Sequence, residues 1–190
     1  MSEKIYFEPT WELPNPFYKA DGSIMSTKAE WEEKRKAYLE LLSEMYYGKM
    51  PGRPQTLTAS ELSNETICQN TVCHKVVRLC AQGEEAPVFF NVHVYRPVMP
   101  CEEKLIPVVI PAADTLPKEI ISMATGQGFE ICSFEIAEAA PDDKEKIWEG
   151  GCAKAYPGYT WRALAMWAWL QSRVIDWLET QENVDVTKTV

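Results

Sequence analysis

The chain has 190 residues, 46% of them hydrophobic and 25% charged, which is the make-up of one folded domain with its own core rather than of a disordered segment. Its formal net charge of −9 argues against nucleic acid as a partner, because neutralising phosphates takes clustered Lys and Arg. No apolar run approaches the roughly 20 residues of a membrane span, so no membrane partner is expected.

Residues 1–25 are rich in proline and aromatics (Pro9, Trp11, Pro14, Pro16, Phe17, Tyr18) and predict an irregular arm laid over the domain surface. Neither an apolar h-region nor a small-residue cleavage site is visible there, so the expected location is cytoplasmic. The cysteines at 68, 73, 80, 101, 132 and 152 are then expected as reduced thiols. A helix follows the arm. Thr27-x-x-Glu30 is a capping-box pattern, and Trp31, Tyr38, Leu41, Leu42, Met45 and Tyr46 recur at helical spacing. Gly48 stands where a closing glycine belongs, with Pro51 just beyond.

Strands come next. Segments 66–69 and 73–80 read as an antiparallel pair with a tight turn near Asn70. Segment 88–96 alternates, with Phe89, Asn91, His93 and Tyr95 on one face and Val88, Phe90, Val92 and Val94 on the other. The continuous apolar run 105–110 predicts a strand covered on both faces. Pro117 opens a helix carrying Ile120, Ile121 and Met123, which Gly126 closes. Segment 129–136 reads as a strand and 141–150 as one short amphipathic helix. Segment 159–180 reads as a long tryptophan-rich helix, apolar at every position from Ala163 to Leu170 and so expected to be buried nearly all round there. Residues 187–190 read as the first of another strand. Antiparallel strands followed by a βαβαβ pattern imply an α/β fold. The expected architecture is a three-layer α/β/α sandwich of α/β-hydrolase type, one domain over 1–190, incomplete and ending at the start of the nucleophile strand.

The tryptophan-rich stretch resembles the segment before the nucleophile in the glucuronoyl-esterase-like carbohydrate esterases. Ala165, Trp167, Ala168, Trp169, Arg173, Asp176, Leu178, Glu179, Val184, Asp185 and Val190 carry the likeness. Trp31-x-x-x-Arg35 and Tyr47-Gly48-x-x-Pro51 match the family's N-terminal helix and its exit. The resemblance implies an α/β-hydrolase that cleaves glucuronoyl or acetyl-xylan type esters, with a carbohydrate ester as substrate and no cofactor or metal. It also implies a serine in a Gly-x-Ser-Arg type turn directly after the strand beginning near Val190, with acid and histidine further on. No catalytic residue is therefore expected within these 190 residues, and the polypeptide is expected to be inactive. A naturally short, non-catalytic binding or interaction module of α/β-hydrolase descent is the alternative. Another esterase or peptidase of the same fold is a third reading.

The loop after 105–110 is expected to border the active site of a complete enzyme through Asp114 and Thr115; the acidic Asp114 does not suit an oxyanion hole. His74 and His93 are the chain's two histidines, and neither is placed like a hydrolase's catalytic histidine, which follows the serine. Cys68, Cys73, His74 and Cys80 do not make a convincing zinc pattern. Ser60, Ser63, Ser122, Ser133 and Ser172 all lie outside any Gly-x-Ser-x-Gly. Trp167, Trp169 and Trp177 are expected in the core, with Trp161 the best candidate for a sugar-stacking platform. Arg173 and Asp176 are expected to pair on the polar side of their helix. The last strand is expected to be central in a complete sheet, which leaves an exposed edge open to self-association.

Overall fold

In a computed structural model, the described residues are 15–19, 21–99, 103–111 and 116–190. They fall into two compact units, 1–42 and 43–190.

In the first unit, Tyr18 and Ile24 form an isolated antiparallel bridge, and the Phe17 and Trp31 rings lie 5.2 Å apart. Lys19 pairs with Glu30, and the Lys34 ammonium donates to the Tyr18 carbonyl. Helix α1 (Lys28–Leu42) opens on the expected capping box: the Glu30 amide donates to Thr27 Oγ1 at 3.3 Å and the Thr27 amide to Glu30 Oε2 at 3.1 Å. The Lys19 ammonium and then the Ser26 amide hold the Glu30 carboxyl down to about 2. No α1 residue is buried, so the helical spacing of its apolar residues does not translate into a core face. Most of the predicted N-terminal arm, residues 1–14, lies outside the described residues.

The second unit opens with a π-helical turn, Ser43–Tyr47, closed by Gly48 at φ +78°. A Cβ at Gly48 would sit 2.0 Å from the Thr160 carbonyl oxygen, so glycine is required by both conformation and space. Five strands follow: β1 (Leu57–Ile67), β2 (Val72–Gln82), β3 (Pro87–Pro97), β4 (Ile106–Pro111) and β5 (Phe129–Phe134). Their spatial order is β1-β2-β3-β5-β4, antiparallel except for the parallel β4/β5 pair. The sheet thus turns parallel partway along, as the element pattern predicts. Helix α2 (Lys118–Gly126) makes the β4-to-β5 crossover, with Pro117 at its N-cap. The β1–β2 turn holds Cys68, Gln69 and Asn70 at φ 51°, 57° and 63°.

The period-2 faces of β2, β3 and β5 separate two cores. Val77, Leu79, Val88, Phe90, Val92, Val94, Cys132 and Phe134 pack with α3 (Gly151–Ala155) and α4 (Ala163–Leu178). Val72, Tyr95 and Ile131 pack on the opposite face with Ile121 of α2. Helices therefore cover both faces of this mixed sheet.

Several expectations are corrected. Strand β1 extends far upstream of 66–69: residues 58–66 are exposed, so the segment lacks the apolar alternation that marks a half-buried strand. Segment 141–150 is not one helix; it is a loop with a 3-10 turn, Ile147–Glu149, and α3 follows directly at Gly151. The long helix starts at Ala163 rather than at 159. It is not buried all round, since Leu164 is 53% exposed and Ala168 is also exposed. Its buried stripe is Ala165, Met166, Trp169, Leu170, Arg173, Val174, Trp177 and Leu178, the spacing of one helical face. Residues 187–190 are not a strand; Val186–Lys188 form a 3-10 turn capped by Asp185, whose carboxylate accepts from the Thr187 amide.

Candidate functional site

Pro111 and Phe134 are Cα partners at the carboxyl ends of the two parallel strands, and this edge is where open α/β sheets bind ligands. Both residues predicted to border the site, Asp114 and Thr115, lie outside the described residues. A cleft of about 430 Å³ opens on the same edge at the carboxyl end of β2, lined by Arg53, Gln55, Gln82, Glu84, Tyr156 and Tyr159. There the Tyr159 hydroxyl donates to Glu84 Oε1 at 3.0 Å.

On the outer side of β4, the end of the chain runs parallel to that strand. Leu105 and Val184 form a parallel bridge. The Leu105 amide donates to the Asn183 carbonyl and the Asp185 amide to the Leu105 carbonyl, each at 2.9 Å. After the 3-10 turn the pattern resumes: the Val190 amide donates to the Pro107 carbonyl and the Val109 amide to the Val190 carbonyl, each at 3.0 Å. Although 187–190 are not a strand, their backbone returns to the place that the next parallel strand of this sheet would take.

The tryptophan helix is anchored to the exit of the π-helical turn, so the tryptophan-rich stretch meets the Tyr47-Gly48-x-x-Pro51 stretch of the sequence resemblance. The Arg162 amide donates to the Tyr47 carbonyl at 2.9 Å, and the Lys49 amide to Thr160 Oγ1 at 3.1 Å. Trp169 Nε1 donates to the Gly52 carbonyl at 2.9 Å. Trp161 is 0% exposed and packs edge-on to Tyr156 and Trp169 at 5.6 and 5.7 Å. Trp161 is therefore a core residue and not the candidate sugar platform, because its ring faces offer no surface to a ligand. Trp148, on the 3-10 turn, is instead the exposed tryptophan of this region, at 57%. Arg173 does pair with Asp176, at 2.6 Å, but on the buried side of the helix rather than on its polar side. Its guanidinium lies over the Trp169 ring at 4.9 Å; burial pulls its proton affinity down and Asp176 opposes that.

His74 and His93, read separately in the sequence, meet on the α2 face. The β2/β3 register sets His74 opposite Tyr95 and Val76 opposite His93, which makes the histidines diagonal neighbours. A hairpin register drawn through the turn near Gly83 is the sequence signal that finds them. Ser133 is the Cα partner of His93, and His93 Nε2 lies 2.8 Å from Glu135 Oε1, so serine, histidine and carboxylate come together here. They do not form a catalytic triad. The other ring nitrogen of His93 is engaged by His74 at 3.1 Å, which leaves no base for the serine. Ser133 is also 0% exposed, and its Oγ has no hydrogen-bond partner among the described residues.

Among the described residues, no group of three or more His, Cys, Asp or Glu is arranged to hold a metal ion. The five described cysteines are free thiols; burial pushes Cys152 up to about 12 and Cys132 well above its ordinary value. Neither is poised as a nucleophile.

No family model matches the chain. It is 26% identical over 170 residues, 88% of its length, to a 4-O-methyl-glucuronoyl methylesterase of Schizophyllum commune, of which it covers 39%. Among solved structures, a glucuronoyl esterase from Solibacter usitatus superposes with a TM-score of 0.76 at 20% identity, over 95% of this chain and 57% of that one. A glucuronoyl esterase catalytic domain from Hypocrea jecorina gives 0.70 at 24% identity, over 100% of this chain and 48% of that one. The chain thus spans about half the length of these structures and less than half of the Schizophyllum enzyme. In sequence and in fold it is related to the CE15 glucuronoyl esterases, α/β-hydrolases, over about half of their length.

Proposed function

We propose that these 190 residues are the N-terminal scaffold of a serine carboxylic-ester hydrolase acting on glucuronoyl or acetyl-xylan type carbohydrate esters. The polypeptide by itself then performs no acyl transfer. The observation that carries this reading is the parallel docking of residues 183–185 and 190 along the outer side of β4, where a further strand would extend the sheet. A nucleophile elbow follows such a strand at the carboxyl edge in α/β-hydrolases, and no Gly-x-Ser-x-Gly occurs in this sequence. The nearest serine–histidine–carboxylate grouping is sealed and lacks a free base. In the complete hydrolase, the carboxyl edge of β4 and β5 forms one wall of the substrate site, with Asp114 and Thr115 at its border. The α/β/α sandwich is then the front half of a larger one.

The test is incubation of the purified 190-residue polypeptide with a methyl glucuronate ester and with an acetylated xylo-oligosaccharide. The expected result is release of acid at the rate seen in buffer; turnover at an enzyme-like rate refutes the proposal. Reading the gene past codon 190 separates the alternatives. An open frame leading into a Gly-x-Ser elbow supports the scaffold, whereas a stop with no such remnant supports a non-catalytic binding module.

A second part of the proposal concerns partners. The outer side of residues 183–190, which line β4 without forming a regular strand, is the edge through which the isolated polypeptide self-associates. Strand β1, at the other edge, is protected against pairing by Glu61, Glu65 and a register shift between Glu61 and Ser63.

A further inference from the structure

A row of side chains crosses the α2 face of the sheet at right angles to the strands, with one member on or just beyond each of four neighbouring strands. Glu65 of β1 places Oε1 3.2 Å from His74 Nδ1 on β2. His74 Nε2 lies 3.1 Å from His93 Nδ1 on β3, and His93 Nε2 lies 2.8 Å from Glu135 Oε1 just past β5. The ends are wet and the middle is dry: side-chain exposure is 64% at Glu65, 15% at His74, 9% at His93 and 33% at Glu135. The Tyr95 ring stacks on His74 at 4.5 Å and 7°, fixing its plane.

We propose that His74 and His93 hold one shared proton and act as a single pH-responsive unit that ties these four strands together. The reason is a count of ring protons. The row contains three hydrogen bonds, and each needs one proton because the carboxylates only accept. Two neutral imidazoles bring two ring protons, so the row is complete only when the pair carries one more. Removing that proton leaves one of the three contacts empty: either a carboxylate faces a bare ring nitrogen, or two bare ring nitrogens face each other across the 3.1 Å gap. Adding a second places two N–H groups head-on across the 3.1 Å gap, and one ring must turn out of line.

The gap suits a proton and not a metal. The two ring planes differ by 16° and their centroids are 5.3 Å apart, close to the largest separation that a 3.1 Å nitrogen contact permits. The lone pairs are therefore nearly collinear, and an in-line metal at about 2.0–2.1 Å from each nitrogen needs about 4 Å between them.

Other charged and titratable groups face the same side. Asn91 Nδ2 donates to Glu135 Oε2 at 3.1 Å, and Arg78 donates to Asn91 Oδ1 at 3.1 Å and pairs with Glu138 at 2.5 Å. Helix α2, packed on this face, carries Lys118 and Glu119 in its first turn, and the Cys68 thiol meets the Lys118 carbonyl at 3.8 Å. Cys80 shares the parity of His74 on β2.

The sign of the linkage follows from the count. An unfolded chain binds two protons on the acid side of the ordinary histidine value of about 6.5 and none on the basic side. The folded pair keeps one. Stability is therefore greatest where the pair holds its single proton and is lost in both directions from there.

The test uses long-range ¹H–¹⁵N spectra of the imidazole nitrogens in the full 190-residue chain across about pH 5 to 8. The expected result is one downfield ring proton coupled to both His74 Nε2 and His93 Nδ1, with the two rings titrating together. Two independent one-proton titrations with no such shared proton overturn the proposal. Displacement of that proton by added Zn²⁺ also overturns it, in favour of a metal site. A second measurement compares urea unfolding of the wild type with that of the variant carrying His74→Gln and His93→Gln. The folded-to-unfolded ratio of wild type over variant is expected to fall by up to about tenfold per pH unit on each side of the maximum; a ratio flat with pH refutes the proposal. If the variant does not fold, the wild-type spectra decide alone.

Discussion

At the residue scale, a few close approaches hold the second unit together. Gly48 combines φ +78° with a Thr160 carbonyl oxygen 2.0 Å from where a Cβ would be. The carbonyl is backbone and cannot swing aside. Gly48→Ala is therefore expected to destabilise the fold by at least the order of 1–3 kcal/mol attached to a strained backbone position, read as a lowered urea midpoint. An unchanged midpoint would mean that the 47–52 segment rearranges freely. The glycine itself was legible in the sequence as the end of a helical stretch. Its contact with Thr160 was not, because 112 positions separate the two and only the seating of α4 brings them together. Trp161 teaches the same lesson: its position near the start of the expected 159–180 helix made it the candidate for an accessible ring, yet the Tyr156 and Trp169 rings enclose it.

At the element scale, β5 carries an ionisable group inside the sheet. Glu130 is 0% exposed, and its Oε2 lies 2.9 Å from Arg96 Nε on β3. Burial raises its proton affinity above the ordinary carboxyl value of 4.5, and Arg96 opposes that rise without cancelling it. A carboxyl that binds its proton more tightly when folded adds stability at acid pH. It withdraws that stability as pH climbs from 4.5 through the raised folded value. Glu130→Gln removes this titration. Over that window the wild type should lose stability relative to the variant as pH rises, as read from paired unfolding curves; a difference independent of pH would show that Glu130 is not the group responsible. Sequence periodicity finds β5 but says nothing of this pair, since β3/β5 adjacency skips β4 in chain order. The amphipathic stripe of α4 was only half legible: its apolar run suggested burial all round, whereas the side carrying Leu164 and Ala168 faces out.

At the scale of the whole molecule, the proposal of an edge open beside β4 makes a prediction about association. Main-chain groups along that side, from Leu105 to Val109, meet residues 183–185 and 190 and the Gln171 side chain, which donates to the Val109 carbonyl at 3.1 Å, so the edge in question is the outer side of residues 183–190 rather than β4 itself. Sedimentation velocity over a tenfold range of concentration is expected to show the polypeptide moving from monomer toward larger species. A single monomer boundary at every concentration, with a sharp reversible melt, would contradict it. The coverage of the related esterases, 57% and 48% of the two structures compared, is the scale on which such an edge makes sense.

Local chemistry alone determined the capping box of α1, the two faces of β3, the apolar run of β4 and the change from antiparallel to parallel strands. The strand features follow from a backbone that repeats every 2 residues, the capping box from the reciprocal hydrogen bonds of Thr27 and Glu30, and the parallel pair from a helix placed between two strands. Only the tertiary structure decided that β1 is a long exposed outer strand, that His74 meets His93, that Trp161 is enclosed and that Gly48 lies against Thr160. Those features depend on strand register and on how distant elements pack across a sheet, and no periodicity within a single segment encodes either.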